Sequence, residues 1–285
     1  MRNLLKEGRY QHTLEKTVEF SGIALHSGKK IQIKFKPATA DTGIVFKRVD
    51  LPDKPEVKAE PFSVVSTNRC TGIGKDNGGY KLEILTVEHI MAAIWSLNLD
   101  NIIIEVNGPE IPIADGSAFP FYKALLAGGV KKLSRRKKVI VIEKPLWIRD
   151  DDCYMVVLPY QGFMVDYTLH YNHPVVGTQF FQFDADQDDF KEEIAKARTF
   201  GFKKEIKNLH QQDLIQGGSL ENAILIDEKS VINSLRYSDE LVRHKILDII
   251  GDMSLNGDIL GHVVSVKSGH SLHIKMAKKI KEKFI

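Results

Sequence analysis

At 285 residues with 43% hydrophobic side chains, the chain has room for two domains and is too apolar to stay disordered. A formal net charge of +3 is too slight to argue for nucleic acid, and it suits an anionic small molecule or at most a peripheral contact with an anionic membrane. Nothing resembles a membrane span or a secretory signal, and Cys70 and Cys153 form no disulfide framework, so a cytoplasmic protein with reduced thiols is expected.

Residues 13–20 and 30–37 read as strands, the second alternating cleanly with Ile31, Ile33 and Phe35 on one face. The turn-rich connection SGIALHSG carries His26, which can be a solvated loop residue or a binding one. Residues 43–48 and 62–66 read as further strands, and KDNGGY (75–80) as a hairpin turn leading into a strand over 80–84. With Thr86 read as N-cap, the apolar stripe Ile90, Met91, Ala93, Ile94 and Leu97 predicts an amphipathic helix of about three turns. Glu88 and His89 fall in its first turn. A carboxylate there suits the helix dipole with no function attached. A Glu beside a His also gives a metal hydrolase one side chain to ligate and a neighbour to move protons.

Residues 101–107 read as a buried strand and 119–126 as a helix, after a loop whose Asp115-Gly116-Ser117 is explained as well by turn chemistry as by ligand binding. KKLSRRKK (131–138) holds six basic residues in eight and is read as a solvated linker between an N-terminal domain, 1–130, and a C-terminal domain, 139–285. Contact with anionic lipid or a substrate phosphate is the alternative for this run.

The second half predicts strands over 139–143, 146–149, 153–159, 162–169 and 178–183, then an amphipathic segment over 188–197. ARTFGF follows, with Thr199, Phe200 and Phe202. This excursion is more apolar than a domain edge requires and fits core or a greasy channel. Residues 217–227 read as a glycine turn and a strand.

LVRHKILDIIGD (241–252) has the clearest helical spacing, through Val242, Ile246, Leu247, Ile249 and Ile250. It sets His244 and Asp248 about 6 Å apart on one face, with Asp252 one turn further. Such a pair can be a plain surface hydrogen bond, or it can grip a metal ion. A strand over 262–267, a turn SGHSLH carrying His270 and a basic helix over 274–284 complete the chain.

His89, His244 and Asp248 together would supply two imidazoles and a carboxylate, the donor set of a catalytic zinc site with a position left open. Glu88 could then accept a proton from water, and His270, kept charged by Asp252, could protonate a departing amine or stabilise an oxyanion. Lys245 could bind an anionic or sugar group. The spacing is not the HExxH of zinc proteases, and a non-enzymatic module binding an acidic partner stays open on these residues alone.

TVEH (86–89), PEIPIADGSA (109–118), ARTFGF (197–202), GGSLENA (217–223), RHKILDIIGD (243–252) and SGHSLH (268–273) together resemble the UDP-3-O-acyl-N-acetylglucosamine deacetylase family over nearly the whole chain. Those are zinc enzymes of the committed step of lipid A synthesis in Gram-negative bacteria. The resemblance implies an α+β fold of two domains, each a two-layer β-sheet/α-helix sandwich with an insert, and the active site between them. It implies one Zn2+ per chain on His89, His244 and Asp248, with Glu88 as general base and His270, supported by Asp252, as the electropositive acid. Thr199 would hydrogen-bond the tetrahedral intermediate, and Lys245 and His26 would contact the sugar-nucleotide. Leu25, Gly218 and Ser219 would be further substrate contacts. Phe200, Phe202 and the segment around 167–202 would form a passage for the 3-hydroxyacyl chain. The expected partner is the UDP-sugar alone, without nucleic acid, bound by a monomer that lacks the dehydratase fusion of some relatives. A different N-acyl sugar is the alternative substrate. Ser66 and Arg69 depart from a pattern that often carries a His there.

Overall fold

The alternating residues of β3 (Lys30–Pro37) bury Ile31, Ile33 and Phe35 and leave Gln32 and Lys34 between them in solvent. The sheet built on that pattern therefore has one wet face and one apolar face, which must be covered. In this computed structural model, which describes residues 10–76 and 81–284, the sheet has the order β2 (Val18–Ile23), β3, β9 (Ile102–Val106), β4 (Ile44–Arg48) and β5 (Glu56–Lys58). Its cover comes from α1 (Glu88–Ser96) and α2 (Phe119–Ala127), which pack on each other. A three-stranded antiparallel sheet, β6 (Val64–Ser66), β7 (Gly72–Asp76) and β8 (Lys81–Ile84), is inserted before α1.

The second half repeats the sheet-and-helix plan. Its sheet runs β12 (Leu146–Asp150), β13 (Cys153–Leu158), β18 (Asp258–Val266), β14 (Phe163–His170) and β15 (Thr178–Asp184), with β11 (Val139–Val141) beside the start of β18. α5 (Glu240–Met253) and α6 (His270–Phe284) pack against it. After the single turn α3 (Phe190–Glu193) comes an insert: β16 (Phe200–Phe202), α4 (Lys203–Gln211) and β17 (Ile224–Ile226), the two strands parallel. The fold is thus α+β in two halves, each carrying an insert. α1 lies directly on α5, so the helix layers meet at a seam between the halves. Among the described residues no helix is long and apolar enough to cross a membrane.

Several expectations are corrected. The basic run 131–138 is not a solvated linker. Most of it forms β10 (Val130–Arg136), paired antiparallel with β1 (Tyr10–Leu14). Exposed lysines suit such an edge strand, because they discourage pairing with another chain. Lys137 is buried and lies 2.7 Å from Asp100 and 2.9 Å from Asp258, pinning one half to the other. The strand expected over 13–20 breaks at 15–17, where the N–H groups of Glu15 and Lys16 bond the carbonyls of Gly129 and Gly128. At 62–66 only Val64–Ser66 is extended, since Pro61 opens a 3-10 turn. Thr86 is not an N-cap: its φ is +61°, and Val87 precedes the helix with no side-chain cap. Of residues 188–197 only Phe190–Glu193 is helical, capped by Asp189. SGHSLH is not a turn beyond Gly269, because His270 opens α6. The turn residues 77–80 of the expected hairpin lie outside the described residues, and β7 and β8 pair as its arms would.

Candidate metal and catalytic site

Helix α1 begins at Glu88, so its first turn delivers Glu88 and His89 to the seam while its apolar stripe holds it in the core. α5 meets it with His244, Asp248 and Asp252, spaced one turn apart on one face. The close crossing requires Gly251: a Cβ there would fall 2.1 Å from the Glu88 carbonyl oxygen. All five side chains are buried.

The His89, His244 and Asp248 donor atoms lie within 4.8 Å of one another. Asp248 Oδ1 is 3.4 Å from His244 Nε2 and 3.9 Å from His89 Nε2, too far for a good hydrogen bond. It has no hydrogen-bond partner among the described residues although it is buried. An unpartnered carboxylate oxygen facing two imidazole nitrogens at such separations fits a small cation held at about 2 Å from each. His244 Nδ1–H donates to the Ala197 carbonyl at 3.1 Å, which leaves Nε2 available to a cation. Burial pushes His89 down to about 3, so it is neutral near pH 7. Asp248 stays ionised against its burial, held well below the usual carboxylate range by Lys245 and the surrounding imidazoles. Both are therefore in their metal-binding forms.

Glu88 and His270 flank these donors. Burial pushes the Glu88 carboxyl up to about 8, with His270 pulling the other way. Burial works against a charge on His270, but Asp252 and then Asp248 override it and raise the imidazole to about 9. His270 Nδ1 is 2.8 Å from Asp252 Oδ2, and Nε2 is 3.9 Å from Asp248 Oδ2. Asp252 also accepts from His273 Nδ1 at 2.8 Å and from the Thr71 hydroxyl at 2.5 Å. The second acidic-imidazole group, Asp252, His270 and His273, thus has its carboxylate satisfied by protein donors and leaves no vacant oxygen for an ion.

Two adjoining cavities open from this seam. One, of about 190 Å³, is lined by Glu88, His89, His244, Asp248 and His270, with Lys245 and Thr199 at its wall. Lys245 is held protonated by Asp248, whose Oδ2 it reaches at 2.6 Å. The other, of about 320 Å³, shares Leu25, Arg69, Thr199 and Phe200 with the first. It continues past Phe202, Ile206, Leu209, Ile215 and Leu225, with Gly218 and Ser219 also on its lining. His26 faces it, buried, and neither ring nitrogen has a hydrogen-bond partner among the described residues.

All the expected site residues therefore converge, with one shift. Of the segment 167–202 only residues 199–202 line the second cavity, whose wall runs on to Leu225 and includes Leu25, His26 and Arg69. Tyr167 is buried on β14, where its hydroxyl donates to the Ser268 carbonyl. Four residues at the site were given no role of their own by sequence reading, although Arg69 stood out as a departure from the family pattern and Tyr171 falls within 167–202. Thr71 and His273 bond Asp252, Tyr171 lines the metal-side cavity, and Arg69 joins the two cavities. For Thr71 and His273 only SGHSLH gave a cue, its second His lying one helical turn after His270.

The sequence matches the family described as UDP-3-O-acyl N-acetylglycosamine deacetylase over residues 11–282. A Geotalea uraniireducens protein named UDP-3-O-acyl-N-acetylglucosamine deacetylase is 44% identical over 95% of this chain and 88% of its own length. Proteins of the same name from Haemophilus influenzae and Aliivibrio fischeri are 42% and 41% identical, each over 95% of this chain and 89% of theirs.

Proposed function

This chain belongs to the UDP-3-O-acyl N-acetylglycosamine deacetylase family, and on that premise we propose that it is a zinc-dependent amidohydrolase. It converts UDP-3-O-(3-hydroxyacyl)-N-acetylglucosamine to the free 2-amine and acetate, the committed step of lipid A synthesis. The observation that carries the reading is the convergence of His89 from one half with His244 and Asp248 from the other, around a carboxylate oxygen without a hydrogen-bond partner among the described residues.

Zinc on these three side chains would polarise the acetamide carbonyl and bring the pKa of a water from about 15.7 to about 7. Glu88, whose carboxyl a cation at the adjacent donors would return to the ionised form, takes the proton of the attacking water, its Oε2 steadied by the Thr71 N–H at 2.9 Å. A C–O bond forms at the carbonyl carbon, and negative charge collects on the carbonyl oxygen. The Thr199 hydroxyl and the charged His270 at the cavity wall meet that charge. The C–N bond then breaks as His270 Nε2 gives its proton to the departing nitrogen. Asp252 holds the imidazole through Nδ1 during the transfer. Lys245 and His26 face the sugar-nucleotide, and the acyl chain fills the passage past Phe200 and Phe202.

The test is acetate release from the UDP-sugar. Chelation abolishes it, and elemental analysis finds about one zinc per chain. Glu88→Ala and His244→Ala each lose at least about 100-fold in kcat. Near-wild-type rates in either variant end the assignment. A substrate without the 3-O-acyl chain loses at least about 100-fold in kcat/KM, given ~0.8 kcal/mol per buried methylene. Equal values would mean a different N-acyl sugar.

A further inference from the structure

Thr71 lies between β6 and β7, in the insert of the first half, and its side chain is fully buried. Nothing in the proton-transfer sequence above assigns its hydroxyl a task. Yet Thr71 touches both proton carriers. Its N–H donates to Glu88 Oε2 at 2.9 Å. Its Oγ1 donates to Asp252 Oδ1 at 2.5 Å and lies 3.2 Å from His270 Nδ1.

The direction of each bond is fixed by chemistry. An ionised carboxylate only accepts, so the single hydroxyl proton of Thr71 goes to Asp252. Toward His270 the hydroxyl then presents lone pairs. Asp252 Oδ2, 2.8 Å from the same Nδ1, is an acceptor as well. Nδ1 is therefore flanked by two acceptors and must carry a hydrogen. The proton that can leave is the one on Nε2, the nitrogen turned toward Asp248. Asp252 and His270 belong to the second half, whereas Thr71 and Glu88 belong to the first. One residue thus registers the acid against the base across the seam.

We propose that Thr71 is a positioning residue for the deacetylation: its hydroxyl and Asp252 together fix His270 with Nδ1 protonated and Nε2 aimed at the substrate, while its N–H holds Glu88. This rests on the deacetylase reading for its activity arm only. Thr71→Val keeps shape and backbone but removes the hydroxyl, and Thr71→Ser restores it. Thr71→Val should lower kcat by about 10- to 100-fold, with KM within about threefold and bound zinc unchanged. Thr71→Ser should return kcat to within about threefold of wild type. Wild-type kcat in Thr71→Val, or equal losses in both variants, would overturn the proposal. If Thr71→Val does not fold, ¹⁵N NMR of the zinc-loaded wild-type protein decides: neutral His270 should carry its proton on Nδ1, and a proton on Nε2 instead sinks the idea. Absence of acetate release by wild type would fail the deacetylase reading, and the NMR result would still decide how His270 is held.

Discussion

Asp252 accepts from three donors, Thr71, His270 and His273, and is fully buried. A carboxylate so placed strongly favours the charged imidazole beside it. The consequence for stability has a definite sign. The folded-state pKa of His270 is raised from 6.5 to about 9, so its charge contributes stability that is fully present below pH 6.5 and is lost as pH rises through about 9. The melting temperature of the chelated wild-type protein should therefore exceed that of chelated His270→Gln by most near pH 6, and the gap should close toward pH 9.5. A gap that widens with pH would contradict the Asp252–His270 pairing. At this scale the sequence was readable where chemistry sits in a short pattern. Glu88 and His89 are adjacent, and His244, Asp248 and Asp252 are one turn apart. Thr71 was not readable, because a threonine in TNRCTG looks like any turn residue until the fold sets it against a carboxylate 181 positions away.

The element that gathers these residues is the crossing of α1 and α5. α5 was legible in its sequence since nearly every residue from Glu240 to Met253 is buried and its apolar positions keep helical spacing. α4 was not, because it has only two apolar residues, Ile206 and Leu209, and buries only Leu209. β10 was mistaken for a linker because lysine and arginine runs read as solvated chain, whereas an edge strand exposed on both faces tolerates the same composition. The crossing makes a sharper prediction than either helix alone. Alanine normally gains about 1 kcal/mol over glycine inside a helix. At Gly251 that gain is overwhelmed, because the added Cβ would meet the Glu88 carbonyl oxygen at 2.1 Å and its carbonyl carbon at 2.8 Å. Backbone atoms cannot rotate away, so α1 must shift. Gly251→Ala should cost about 1–3 kcal/mol in urea denaturation. It should also lower kcat at least about tenfold, because Glu88 and His89 move with the helix. Unchanged stability and rate would mean that the crossing is looser than the structure shows.

Across the whole molecule, the two halves are joined by groups that each have a foot on either side. Lys137 bonds Asp100 and Asp258, Arg236 bonds Asp115 at 2.9 Å, and Arg69 bonds Glu205 at 3.1 Å. The last is exposed and contributes little, while Lys137 is buried and costly to unpair. None of these pairs was foreseeable, since each joins residues far apart in sequence by charge alone. The candidate metal donors could be proposed from sequence as a cross-half set, since one imidazole lies before the midpoint and the other imidazole and the carboxylate after it. A cation shared by His89, His244 and Asp248, as proposed, would bind the folded arrangement and not the unfolded chain, so it would stabilise by mass action, by about 4 kcal/mol at a free concentration 1,000 times its Kd. Zinc-loaded protein should thus melt several degrees above chelated protein in a calorimeter. His89→Ala, which removes the one proposed ligand from the first half, should melt at nearly the same temperature with zinc or chelator. If zinc instead raised the melting temperature of His89→Ala as much as that of wild type, the ion would be binding within α5 alone, and the seam would have to be held closed by Lys137 and the packing of α1 on α5.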